Sequence, residues 1–334
     1  MYAVCNYSRY FAKYRAPASS RPASMKSRVV LCCASNETYV LGLAVSLCSA
    51  LRGLSPGGEA PMVYVLDGGM RERSWSKLQK SITGVRPDCV LHRLRPDLGT
   101  FAGLPQDWGS SVMAYARLAL PALVNEERIL YIDSDLIVQG NLAELWEMDL
   151  GDAVMAAAID VTAKDLGNSK LPTRELGLPE RAPSLNSGLL LMNVKRWRDA
   201  DVTANALRYL RQWPDHAVNW DQSALNVVLY GRWQMLDAQW NTPAWLADCG
   251  KEGCSLEAPV LHFVGPHKPW LFGCHKSPSA RIFFLWLDKT AWKGWRPSGM
   301  KQALKWAKYR AWKFGRDFGA LLRKPQTRAD LTVI

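Results

Sequence analysis

Short runs of consecutive apolar residues alternate, along the first half of this chain, with stretches whose apolar positions recur at helical spacing. Arg28 to Cys33, rich in Val, is the first such run, and the polar Ala34-Ser35-Asn36-Glu37-Thr38 follows it. Apolar residues from Tyr39 to Leu51 then repeat with the 3.6-residue period, and Gly53 with Pro56-Gly57-Gly58 ends that helix. Met62 to Leu66 is a second run, a polar helix follows near Glu72, and Val90 to Leu94 is a third run. A segment apolar at every position is buried on both faces, as strands inside a parallel sheet are. Strand, helix, strand, helix, strand therefore predicts an α/β fold with a doubly wound, mostly parallel sheet.

The pattern continues. Helical spacing covers Val112–Val124, and Arg128 to Ile132 makes a central strand that ends in Asp133-Ser134-Asp135. Ala153 to Ile159 is a strand ending at Asp160, while 161–184 carry Pro, Gly and charge without a period and read as a long loop over the site. Leu189 to Asn193 is strand-like, Thr203–Trp213 and Asp221–Leu229 are helical, and Val260 to Val264 is a late strand. The longest apolar stretch, Val40 to Leu51, falls short of the ~18 residues a membrane span needs. One domain is predicted over 27–288, between a basic tail (1–26) and a basic extension (289–334).

The net charge of +12 is concentrated at the ends. Residues 1–28 hold six Lys or Arg and no acid, 289–334 hold twelve against Asp317 and Asp330, and the body between is mildly acidic. That distribution argues against nucleic acid and for an anionic surface as the partner of the ends. Residues 1–24 lack the apolar core of a secretory signal and read as a transit-like segment or as sequence upstream of a start at Met25. The eight cysteines read as core thiols in a reducing compartment. Cys249, Cys254 and Cys274 lie near His262, His267 and His275, but with no CxxC spacing, which disfavours zinc.

Ligands in an open parallel sheet sit beyond the C-terminal ends of the strands. Asp133 and Asp135 at such an end repel each other unless a cation lies between them, and a hard divalent ion can bridge carboxylates to a diphosphate. The alternative is a strand-end turn whose Asp residues cap the next helix. Leu185-Asn186-Ser187-Gly188 offers small residues where a backbone can approach a sugar or phosphate. Trp220-Asp221-Gln222 opens a helix, with Asp221 either a site carboxylate or a cap. His262 after a strand can complete a metal site or serve as a hydrogen-bonded core residue, and Lys268 can meet phosphate charge.

These residues resemble family 8 of the retaining glycosyltransferases, the group containing bacterial lipopolysaccharide galactosyltransferases and glycogenin. The likeness runs from Val29 to Trp270. It rests on blocks in the family's order: Ser35-Asn36-Glu37-Thr38-Tyr39, Tyr115-Ala116-Arg117-Leu118, Tyr131-Ile132-Asp133-Ser134-Asp135, Leu185-Asn186-Ser187-Gly188, Asp221-Gln222, and His262 through Gly265 to Lys268-Pro269-Trp270. The resemblance implies a GT-A fold, a Rossmann-like nucleotide-binding sheet, a UDP-sugar donor, and manganese (with magnesium as the alternative ion) held by Asp133, Asp135 and His262. It also implies that Arg117 and Lys268 neutralise donor phosphates, that Ser134 and Gly265 line the donor site, and that Asn186, Asp160 and Asp221 hold sugar hydroxyls. Gln222 would then lie near the anomeric carbon, and Asn36 and Thr38 would line the uracil or ribose pocket. The family usually has Asp where this chain has Asn36, which loses a charge and adds a donor.

The expected reaction is hexose transfer to a glycan or glycolipid acceptor with retained configuration. A sugar nucleotidyltransferase is the alternative enzyme, but Ala34–Tyr39 has no glycine to form its phosphate loop. A non-catalytic nucleotide-sugar or membrane-binding protein is the alternative outside enzymology. In the extension, Met300, Leu304, Ala307, Ala311, Phe314, Phe318 and Leu322 share one helical face. Lys305, Lys313 and Arg316 point elsewhere, with Trp306, Tyr309 and Trp312 among the cations, as on a helix lying in an anionic bilayer surface. A helix packed on the domain competes with that reading. The expected location is cytoplasmic, peripheral on the inner face of a membrane.

Overall fold

The computed structural model of the protein describes residues 28–54, 59–106, 112–271, 273–297, 299, 304 and 307–314. The strands in chain order are β1 (Val30–Ser35), β2 (Met62–Asp67), β3 (Val90–Leu94), β4 (Arg128–Ile132), β5 (Leu136–Val138), β6 (Met155–Ile159), β7 (Leu185–Asn193), β8 (Trp233–Leu236), β9 (Thr242–Pro243) and β10 (Val260–His262). The helices are α1 (Val40–Gly53), α2 (Glu72–Val85), α3 (Ala116–Leu123), α4 (Ala143–Trp146), α5 (Val194–Asp199), α6 (Val202–Gln212), α7 (Asp221–Val228), α8 (Ala244–Asp248) and α9 (Pro278–Leu287).

A seven-stranded sheet in the order β3-β2-β1-β4-β7-β6-β8 carries the fold. All neighbours pair in parallel except β7, which runs against both β4 and β6. The apolar run at 189–193 thus belongs to a longer, reversed strand that already includes Leu185-Asn186-Ser187-Gly188. A second, three-stranded sheet, β5-β10-β9, holds the late strand that the sequence pattern predicts. The fold is the α/β arrangement with a mostly parallel sheet that the sequence pattern predicts, with one strand of the large sheet reversed.

Helix α1 is apolar all round because it is covered on all sides: it packs on β1, β5, α2 and α9. Leu43, Leu47 and Leu51 are fully buried, each contributing about 1.5–3 kcal/mol of apolar transfer. Two serines satisfy the neighbouring edge of β5. Leu136 N donates to Ser46 Oγ at 2.9 Å and Val138 N to Ser49 Oγ at 3.0 Å. Gly42 lets the helix approach the site, since a Cβ there would sit 2.2 Å from the Ser134 carbonyl oxygen and 2.5 Å from the Trp270 ring.

The packed body runs past 288, where the sequence pattern places its end. Ala291 N donates to Ser81 Oγ of α2 at 2.9 Å, Trp292 is buried under Lys77, and Arg296 pairs with Asp288 at 2.6 Å. Of the predicted amphipathic helix, 307–314 are helical, with Leu304 and Phe314 exposed and Tyr309 and Trp312 half-buried. Met300, Lys305, Trp306, Arg316, Phe318 and Leu322 lie outside the described residues, as does the tail 1–26.

Candidate active site

The reversed direction of β7 builds the site. Ile132 at the end of β4 pairs with Leu189, and Asp133 N donates to the Gly188 carbonyl at 2.8 Å. The beginning of β7 therefore lies beside the end of β4, so Asn186, Ser187 and Gly188 face the Asp133-Ser134-Asp135 turn. The antiparallel pair β5–β10 brings His262 opposite Leu136, one residue beyond Asp135. Gly188 leaves room for the imidazole, because a Cβ on it would fall 2.4 Å from His262 Cε1.

One ligand atom from each of Asp133, Asp135 and His262 lies within 4.8 Å of the others. His262 Nε2 is 3.2 Å from Asp135 Oδ1 and 3.8 Å from Asp133 Oδ2. The remaining oxygen of each carboxylate is held by a buried cation. Arg117 Nη2 bonds Asp133 Oδ1 at 2.8 Å, and Lys268 Nζ bonds Asp135 Oδ2 while also donating to the Phe263 carbonyl. Two carboxylate oxygens and one imidazole nitrogen turned inward, with their outer atoms anchored, fit a divalent cation. Burial raises the Asp133 carboxyl against the pull of Arg117. For Asp135 burial acts in the same direction, but Lys268 and then His262 outweigh it and hold the group well below the usual carboxylate range.

The sequence resemblance gives Arg117 and Lys268 to donor phosphates; in the structure both are buried and committed to carboxylates. Arg117 lies 4.4 Å over the Tyr131 ring, donates to the Ser187 carbonyl, and ion-pairs through Nε with Asp221 at 2.9 Å. It thus ties β4, β7 and α7 together. Burial pushes the Asp221 carboxyl up to about 6, against the lowering effect of Arg117. Gln222 is clamped at both ends: Ser187 N donates to its Oε1 at 3.2 Å, and its Nε2 donates to Asp160 Oδ2 at 2.8 Å. Asp160 Oδ1 accepts from Thr162 N and Oγ1 at 2.8 and 2.6 Å, rooting the 161–184 loop.

Asn36 and Thr38 follow β1, the neighbour of β4, and Asn36 Oδ1 accepts Thr38 N at 2.9 Å in a local turn. Ser134 is buried against α1, and Gly265 takes φ +77 after β10, where the backbone turns toward Lys268. Asn186 faces His262 through a residue that sequence reasoning did not single out: Asn241 donates to Asn186 Oδ1 at 2.7 Å and meets His262 Nδ1 at 2.7 Å. No local pattern marks it. Tyr39, under the Lys268 ammonium and edge-on to Trp270, also supports the site.

A family model described as "Glycosyl transferase family 8" matches residues 30–274. General stress protein A of Bacillus subtilis is 26% identical over 279 residues, covering 79% of this chain and 94% of that protein. The lipopolysaccharide 1,2-glucosyltransferase of Escherichia coli K12 is 28% identical over 233 residues, 66% of each chain. Among solved structures, galactosyltransferase LgtC with donor and acceptor sugar analogues superposes with a TM-score of 0.67 at 25% identity, covering 78% of this chain and 96% of that one.

Proposed function

The chain belongs to glycosyl transferase family 8 and is a glycosyltransferase, and on that footing we propose that it moves a hexose from a UDP-sugar to a glycan or lipid-linked acceptor with retention, using Mn²⁺. The observation that carries this reading is the triangle of Asp133, Asp135 and His262 at the carboxyl edge of the sheet. The acceptor class follows the lipopolysaccharide glucosyltransferase among its relatives. The 161–184 loop, rooted at Asp160, is the part of the chain that would meet the acceptor.

Mn²⁺ bound by Asp133, Asp135 and His262 would supply a Lewis acid for the departing diphosphate. Arg117 and Lys268 keep the carboxylates turned inward and add fixed positive charge beside them. In this reading Asn186, Asp160 and Asp221 would hold sugar hydroxyls, and the clamped Gln222 amide would lie near the anomeric carbon. Asp221 is the local carboxylate that a double displacement would require as nucleophile, yet it is buried and ion-paired to Arg117. That commitment favours front-face substitution, in which the leaving phosphate takes the acceptor's proton.

A basic 289–334 segment supports peripheral attachment to an anionic bilayer, each cation near the surface contributing ~1 kcal/mol. Asn36 and Thr38 remain the proposed contacts to uracil or ribose. The deciding experiment is a screen of UDP-sugars for Mn²⁺-dependent hydrolysis, then of acceptors with the best donor. If Asp133→Ala and Asp135→Ala turn over donor at the wild-type rate with added Mn²⁺, the proposal fails.

A further inference from the structure

A run of hydrogen bonds leads from a main-chain amide to the inward face of His262. Gly188 N lies 2.9 Å from Asn186 Oδ1. A main-chain N–H is always a donor, so the Asn186 atom that meets it is the carbonyl oxygen. Asn241 approaches that same oxygen at 2.7 Å, and only its Nδ2 group can donate there. This turns the Asn241 carbonyl oxygen to His262 Nδ1, 2.7 Å away. Nδ1 then carries a ring proton, and Nε2 is the nitrogen turned toward Asp133 and Asp135, whose lone pair a divalent cation seated between them would take. Each amide orientation follows from the one before it, starting from a donor whose identity is fixed.

Asn241 is held firmly enough to impose this. It is 3% exposed and closes the 3-10 turn Ala238–Asn241, which the Asp237 carboxylate caps by accepting Gln239 N at 3.0 Å. The next two residues, Thr242 and Pro243, pair with Leu261 and His262 themselves. The Asn186 Nδ2 group, turned away from Gly188 and Asn241, has no hydrogen-bond partner among the described residues and is left to donate to a sugar hydroxyl.

We propose that Asn241 is a positioning residue that sets His262 in the Nδ1–H tautomer and joins it to Asn186 on the sugar side of the site. The inference rests on the metal reading of His262, and its test separates the two. Long-range ¹H–¹⁵N spectra of the full chain with labelled histidine, at a pH where imidazole is neutral, report the tautomer; His262 is assigned by its loss in His262→Gln. The wild type is expected to show Nδ1–H, and Nε2–H would overturn the proposal without any variant.

Asn241→Asp, which still accepts from Nδ1–H, should keep the tautomer, whereas Asn241→Leu should shift it and weaken Mn²⁺ binding by about 10–100-fold, as loss of an outer-sphere partner does. Mn²⁺ binding is read by electron paramagnetic resonance. An Asn241→Leu protein that keeps both the Nδ1–H signal and wild-type Mn²⁺ affinity overturns the proposal, and so does an Nε2–H signal in Asn241→Asp. If wild type itself binds no Mn²⁺, the metal reading falls, and the tautomer data still decide the positioning role.

Discussion

Replacing Gly188 with Ala adds one methyl group where His262 already stands. The new Cβ would lie 2.4 Å from His262 Cε1 and 2.8 Å from Nδ1, about 1 Å inside the closest ordinary contact. Gly188 is in regular strand β7, so Ala accepts the backbone and the whole effect is steric. The ring cannot retreat freely, because Nδ1 is 2.7 Å from Asn241 and Nε2 is 3.2 Å from Asp135. Overpacking of this kind costs about 1–3 kcal/mol, a fall in Tm of about 2–10 °C for a domain of this size. The imidazole is also displaced from Asp133 and Asp135, so Mn²⁺ affinity should fall about tenfold or more. The assay pairs thermal melts with Mn²⁺ titration. Gly84→Ala in α2, where a Cβ meets nothing within 4 Å, serves as a control that should gain rather than lose stability. If Gly188→Ala melts and binds Mn²⁺ like wild type, His262 is not seated as described.

Four further outcomes follow from the geometry. Asp135→Asn removes a ligand and the partner of buried Lys268, so donor hydrolysis should become undetectable and added Mn²⁺ should not restore it in a turnover assay. Arg117→Lys offers a single nitrogen where the guanidinium reaches both Asp133 and Asp221; leaving one buried carboxylate unpaired should cost about 3–5 kcal/mol in denaturant unfolding. The Arg296 bond holds the Asp288 carboxyl down to about 2, so its stabilisation is complete above the ordinary carboxylate range and is lost as pH falls through about 2. Asp288→Asn should therefore lower the urea midpoint at pH 7 and lower it less at pH 3. Ending the chain after residue 299 should preserve melting temperature and abolish binding to anionic vesicles in a sedimentation assay, whereas ending it after 288 should also destabilise the body, since Trp292 is then lost from α2.

Sequence and structure agree where one residue's neighbours in the chain are also its neighbours in space. Ile129 to Ile132 is apolar on consecutive positions because β4 is covered on both faces, and the polar turn that follows has to emerge at the sheet edge. Asp133 and Asp135 were legible for that reason. Direction was not, since an apolar run reads the same whichever way the strand points, and β7 is reversed. Strands β5 and β9 span only three and two residues, too few for a period to register, whereas β10 falls inside the predicted late strand. The partners of Arg117 and Lys268 depend on side chains that cross from other elements: Arg117 reaches 16 residues along the chain to Asp133, and Lys268 reaches 133 residues back to Asp135. Asn241 was silent because an Asn after a tryptophan in a 3-10 turn resembles any loop residue until its two amide faces are seen.

The 161–184 segment leaves the sheet at Asp160 and returns at Ser184, and those two ends are stitched together: Asp160 N donates to the Ser184 carbonyl at 2.8 Å. Between them it folds on itself around a cleft of about 450 Å³ lined by Asp165, Leu171, Arg174, Glu180 and His216 among others. A module closed at its own neck can be lengthened, shortened or exchanged without moving the strands on either side. Such a cassette could be exchanged in evolution while the strands that carry Asp133, Asp135 and His262 stay as they were.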